Sequence, residues 1–301
     1  MSFTGFMFRL LAGYGDKKRD KKLKAPEDVT ALKDIAYAGG GKYNLLDVYY
    51  PKGASGKLPV IVSIHGGGYV YGTKEVYYHY GTYLASRGYT VVNFNYHLAP
   101  KAKFPAQLGE INQVFAWVAA NADKFHMDTE NVFVVGDSAG AQLNSHYAAI
   151  YSNPEFAAKF DFTVPKEIKI RAIALNCGMY KIGGPADKEA NAPGMNTDDL
   201  MNDYLGKERP KELMERLDVL GNITSAFPPS FIMTAEYDFL KANAEPMYKF
   251  LKEKGVPCEW KKYGEEGQKH MAHVFHVNMN LDEARQCNQD EIAFFKKYEV
   301  R

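Results

Sequence analysis

A serine hydroxyl becomes a useful nucleophile only when the chain holds it clear of its neighbours and a base stands within reach. Gly136-Asp137-Ser138-Ala139-Gly140 meets the first condition. A tight turn from strand to helix needs glycines two residues either side of the serine, where side chains would collide with backbone. Upstream, His65-Gly66-Gly67-Gly68 leaves N–H groups free to converge, with that of Ala139, on the oxyanion of a tetrahedral intermediate. The base and its orienting carboxylate must come later in the chain. Asp238 and Glu236 both lie in TAEYDFL, and Asp238 is preferred because it sits past the strand signal FIMT, in a loop from which its side chain can swing toward a base. His270, His273 and His276 crowd into KHMAHVFHVN, and spacing alone leaves all three open. The chemistry implied is acyl transfer to water.

These groups need strand ends to carry them. Leu58 to Ile64 (LPVIVSI) runs straight into the glycine loop, and Asn131 to Val135 (NVFVV) into the serine turn; both read as strands buried on two faces. Tyr89 to Tyr96, Arg171 to Leu175, Phe231 to Thr234 and Cys258 to Tyr263 add further strands. Helical patterns over Glu75 to Arg87, from Phe104-Pro105 onward, and over Gln142 to Ile150 alternate with them, which predicts an α/β class with a mostly parallel central sheet flanked by helices. Asp34 to Tyr50, around Gly39-Gly40-Gly41, predicts an edge hairpin. The long stretch from Gly178 to Phe227 breaks the rhythm, and with residues 1–30 it reads as a helical lid on a single domain of residues 1–301. Phe3 to Leu11 is read as lid helix rather than membrane anchor, with an interfacial helix as the alternative. The charge run Asp16 to Lys24 reads as a solvated linker or helix face without function.

Composition narrows the field. Lys+Arg 37 against Asp+Glu 36 gives a formal charge of +1, so no global field points to nucleic acid. The three cysteines, Cys177, Cys258 and Cys287, form no CxxC pair and read as buried free thiols. No H-E-x-x-H cluster or phosphate-cradling GxxxxGK[ST] loop occurs, so neither metal nor other cofactor is expected. No apolar run is long enough to span a bilayer, and no secretory leader pattern opens the chain, which predicts a cytoplasmic protein without stable membrane insertion. A small-molecule ester is the expected partner. A homodimer through an edge strand or the last helix is compatible with this layout.

HGGG followed by GDSAG resembles the hormone-sensitive-lipase group of α/β-hydrolases, the bacterial family IV esterases, and the resemblance covers the chain from Asp34 onward. It implies the α/β-hydrolase fold and a serine carboxylesterase acting on short acyl chains. It implies Gly67, Gly68 and Ala139 as the oxyanion hole, Asp238 as the acid, and His65 as a brace for the loop. His273, which precedes Val-Phe as the family's base precedes a residue and then an aromatic, becomes the base, 35 positions after Asp238. NYHLAPKAKFPA is similar to a family tract, but His97 and Lys101 replace an arginine and an acid that pair in relatives, which puts local stability in doubt; Ala141 stands where relatives often have a third glycine. Two rivals share these motifs. One is an amidase such as an arylformamidase; the other is a non-catalytic receptor on the same fold, like the plant gibberellin receptors that have lost the base. Retention of Asp238 and His273 argues against the second.

Overall fold

The β-branched runs find their reason in the sheet they build. The computed structural model describes residues 1–39, 41–182 and 196–300. In it β1 (Val29–Ala36), β2 (Leu45–Pro51), β3 (Leu58–Ile64), β4 (Thr90–Phe94), β5 (Met127–Asp137), β6 (Ile170–Asn176), β7 (Ser230–Ala235) and β8 (Cys258–Tyr263) form one sheet. The order is β1-β2-β4-β3-β5-β6-β7-β8. β2 pairs antiparallel with β1 and β4, and every other pairing is parallel.

The helices are α1 (Phe3–Asp20), α2 (Tyr78–Ala85), α3 (Ala106–Asn121), α4 (Ala139–Ser152), α5 (Pro154–Ala157), α6 (Thr197–Leu205), α7 (Lys211–Leu217), α8 (Val219–Asn222), α9 (Ala244–Glu253) and α10 (Asp282–Lys296). Alternate residues of each central strand serve two cores. Val60, Val62 and Ile64 of β3, with Val132 and Val134 of β5, pack with residues of α3, α4 and α9. Ile61, Phe133 and Val135 pack with α2 and α10. Both faces are covered, so both periods must be apolar, and the runs read as continuous. Each parallel strand from β4 to β8 delivers its carboxyl end to the same edge, the place where such sheets carry ligands.

The sheet's outer strands are guarded by charge. β8 carries Lys261 and Lys262, paired with Asp290 (3.0 Å) and Glu236 (2.6 Å). At the other edge the β1–β2 register shifts between Leu32 and Ile35, where Asp34 has φ 58°. There the buried Lys74 ammonium lies 2.8 Å from each of Asp34, Asp47 and Glu75.

Several sequence expectations change in extent. The edge strand begins at Val29 rather than Asp34, because the bulge lets the pairing continue past the charged pair Lys33 and Asp34. Helix α1 runs through the charge run to Asp20, which makes that segment a helix face and not a linker. Within 178–227 the structure has α6, α7 and α8, while residues 183–195 lie outside the described residues, as does Gly40 of the predicted hairpin turn. The position of His97 is held by another partner: Glu110 of α3 accepts from its backbone N–H (2.7 Å) and meets its ring (2.5 Å). All three cysteines are free thiols, and Cys258 is only half-buried where burial was expected. Among the described residues no helix is long and apolar enough to cross a membrane.

Candidate active site

The serine turn sits where β5 hands over to α4. Ser138 has φ 53° and ψ −118°, a backbone region a non-glycine residue enters only at a cost of about 1–3 kcal/mol. The close packing around it forces that conformation. A Cβ on Gly136 would stand 2.4 Å from the Gly140 carbonyl oxygen, and one on Gly140 would stand 2.1 Å from that of Ile64, so both positions exclude every other residue. The Ser138 N–H donates to the Asn176 carbonyl (2.9 Å), which pins the turn to the end of β6.

The glycine loop leaves β3 beside it. Gly67 (φ 109°) lies so close to Tyr71 that a Cβ would meet its carbonyl oxygen at 2.3 Å. Among the described residues, the N–H groups of Gly67, Gly68 and Ala139 find no acceptor, so all three are free to donate to a guest. His65 is fully buried, with its ring stacked 4.0 Å from that of Tyr96 and Nδ1 2.8 Å from the Gly66 carbonyl oxygen. Burial pushes its imidazole down to about 4, which suits a brace and not a base. The Gly66 N–H donates to the Tyr77 hydroxyl (2.9 Å), which donates in turn to Asp137 (2.8 Å), so one tyrosine ties the glycine loop to the serine turn.

Asp238 follows β7, and its carboxylate is enclosed by donors. Oδ1 accepts from Leu240 N–H (2.9 Å) and lies 2.6 Å from Nδ1 of His273, and Oδ2 accepts from the Thr234 hydroxyl (2.7 Å). Burial pushes this carboxyl up, but the bond and charge of His273, with the Thr234 and Leu240 donors, outweigh it and hold the group below its ordinary value. A bridge between Tyr237 and Ala272 and a Tyr237 N–H to Met271 carbonyl bond (2.9 Å) fix the two loops together. Of the competing groups, Glu236 and His270 are engaged elsewhere and His276 is buried. Glu236 pairs with Lys241 (2.9 Å) and Lys262, and His270 with Glu283 (3.1 Å) at the surface. His276 is buried, which pushes it down to about 3.

Cys177 is the buried free thiol the sequence suggested, but its place beside the site was not foreseen: it follows β6 directly with φ 49°. Its sulfur lies within 4.8 Å of the ligating atoms of Asp238 and His273. Thiol, carboxylate and imidazole are donors zinc takes. Here the Asp238–His273 hydrogen bond already occupies the facing atoms, and burial, with the Asp238 charge, pushes the thiol well above its ordinary value. The set suits proton handling better than metal.

Ser138 and His273 open onto one cavity of about 210 Å³, walled mainly by apolar groups including Phe8, Tyr71, Met179, Leu200 and Phe239. Asp16 and Arg19 also reach it, although the charge run they belong to was read as functionless. They form a pair (3.0 Å), Tyr71 donates to Asp16 (2.7 Å), and Arg19 also binds Asp20 (2.6 Å).

Comparison with known proteins gives a consistent picture. A family model described as BD-FAE matches residues 46–245. A protein of Acanthamoeba polyphaga mimivirus named for the alpha/beta-hydrolase fold is 25% identical over 215 residues, 69% of this chain but only 60% of its own length. An acetyl esterase of Salmonella dublin is 26% identical over 239 residues, 77% of this chain and 70% of that enzyme. Among solved structures, Esterase B of Lactobacillus rhamnosis superposes with TM-score 0.85 at 24% identity, covering 96% of this chain and 92% of its own. An esterase of Pyrobaculum calidifontis gives 0.78 at 25%, covering 97% and 93%.

Proposed function

The chain belongs to the BD-FAE family and has the α/β-hydrolase fold, and from that premise we propose that it is a serine carboxylesterase cleaving small, short-chain acyl esters through Ser138, His273 and Asp238. One observation carries the reading: the 2.6 Å contact of His273 with a buried Asp238, with His273 and Ser138 both lining a single apolar cavity. The names of the acetyl esterase and esterase relatives support it.

Asp238 holds Nδ1 of His273, so Nε2 is the nitrogen left to take the Ser138 proton as Oγ attacks the ester carbonyl. The N–H groups of Gly67, Gly68 and Ala139 receive the oxyanion, aided by the N-terminus of α4. The imidazolium returns its proton to the departing alkoxide, water repeats the attack on the acyl-serine, and the acid leaves. The short-chain preference rests on size, since a cavity of about 150 Å³ holds one benzene-sized guest and about 210 Å³ adds room for only a few more carbons. Helices α1 and α6 are the lid that sets this limit. Ser2 of the α1 cap binds Asp203 of α6 (2.8 Å), Thr4 binds Asp199 (2.5 Å), and both helices send residues into the cavity.

The test is a panel of p-nitrophenyl esters from acetate to laurate, with Ser138→Ala beside the wild type. Turnover is expected to be highest on acetate and butyrate and to vanish in the variant. Absence of turnover on every ester, with activity on formylated anilines, would move the assignment to an amidase.

A further inference from the structure

Helix α1 turns two unlike faces outward and inward. Phe8, Ala12, Asp16 and Arg19 point into the cavity. On the opposite side, at spacings of three and four residues, stand Phe3 (78% exposed), Phe6 (47%), Leu10 (53%) and Tyr14 (71%), with Leu11 (66%) beside them. Met1 is exposed too, so six of the eight exposed large hydrophobic side chains among the described residues fall within residues 1–14. Isolated exposed hydrophobic residues are ordinary, but a row of them along one helix marks a contact surface.

The row does not end at Tyr14; it changes chemistry. Lys17 continues the same stripe and Lys18 that of Leu11, and Lys21, Lys22 and Lys24 follow just past the end of the helix, all exposed. The carboxylates of this segment, Asp16 and Asp20, are engaged by Arg19. Among the described residues none of the five lysines is paired with a carboxylate, so their charge is uncompensated. An apolar stripe passing into unpaired lysines matches a surface that is apolar inside and negatively charged at its boundary.

We propose that the outer face of α1 docks the protein, peripherally and reversibly, on an anionic lipid surface. The apolar side chains enter the acyl boundary and the lysines lie against headgroup phosphates. Because the inner face of the same helix walls the cavity, docking holds that cavity about one helix diameter, roughly 10 Å, from the lipid. The inference does not depend on which residues perform catalysis.

The test is cosedimentation of the full chain with vesicles of phosphatidylcholine alone and of phosphatidylcholine mixed with phosphatidylglycerol. Binding is expected to the mixed vesicles, to weaken with salt, and to fall about fivefold for each of Lys17, Lys18, Lys21 and Lys22 changed to glutamine. Leu10→Ser with Leu11→Ser is expected to weaken it by roughly tenfold or more. Turnover of a soluble ester should be unchanged in these variants, which certifies their fold. The proposal is overturned if the wild type fails to sediment with mixed vesicles, or if the lysine variants bind as well as it does. It is equally overturned if sedimentation velocity shows a dimer that Leu10→Ser with Leu11→Ser dissolves, since the face would then be covered by a second copy.

Discussion

Replacing Asp238 by asparagine removes one charge and almost no volume, which makes it the sharpest probe of the proposed mechanism. The side chain has no exposed surface, and its neighbours are the Leu240 N–H, the Thr234 hydroxyl and His273. An amide can still accept from Leu240, so the loop should keep its shape. What disappears is attraction for the imidazolium that forms as Ser138 gives up its proton. With atoms in contact at 2.6 Å, the charge centres lie about 4 Å apart, and at an effective dielectric of about 20 the lost attraction is about 4 kcal/mol. That is about a 10³-fold fall in kcat, with KM nearly unchanged because the charge arises only on the way to the transition state. Initial rates on p-nitrophenyl acetate measure it, and a urea midpoint close to wild type certifies the fold. Glu236→Gln, altering the carboxylate held by two lysines, should leave kcat within about threefold. If Asp238→Asn kept kcat within tenfold of wild type, the carboxylate would not be supporting the base and the reasoning would fail.

Three further outcomes are expected. Gly140→Ala places a Cβ 2.1 Å from the Ile64 carbonyl oxygen and should cost about 3 kcal/mol or more by urea unfolding, whereas Gly39→Ala, facing open space, should stay within about 0.5 kcal/mol. Lys74→Met leaves the buried Asp47 carboxylate without its ammonium and should cost about 3 kcal/mol by the same measurement, even though the new side chain is apolar. Burial raises Glu291 from 4.5 to about 7, against the donors Asn176 and Tyr80. The folded form therefore keeps a proton that the unfolded chain has released, and stability falls as pH rises from about 4.5 to about 7. Glu291→Gln should match wild type near pH 4 and exceed it, by on the order of 3 kcal/mol at most, near pH 8; an equal difference at both pH values would refute the shift.

The parts of this molecule that the sequence made legible are those whose requirements are local. Gly136 and Gly140 announce a turn because the collisions they avoid lie within a few residues or on the adjacent strand, and LPVIVSI announces a twice-buried strand because each of its faces meets its own core. The spacing of His270, His273 and His276 could not separate them, and only the family resemblance pointed to His273; what brings His273 against Asp238 is the bridge from Tyr237 to Ala272, a contact between distant loops. Asp16 and Arg19 were illegible for a related reason. A charge run looks solvated until the helix carrying it is seen to lie on α6, through Asp203 and Asp199, with one side turned to the cavity. Cys177 needed the sheet itself, since only the order β5-β6-β7 brings the end of β6 beside the loop after β7.

The crowding around the glycines divides the cavity into parts with different freedom to change. Its floor is backbone so tightly nested that Gly67, where a Cβ would stand 2.3 Å from the Tyr71 carbonyl oxygen, and Gly72, where one would stand 2.4 Å from the His65 ring, admit no larger residue. The walls are side chains: Phe8 and Leu200 on helices, Met179 and Phe239 on loops. A mutation below is answered by loss of the fold, and a mutation above by a different guest. Preference for one ester over another can therefore drift or be redesigned one wall residue at a time, while the apparatus that would cleave the bond is inherited whole.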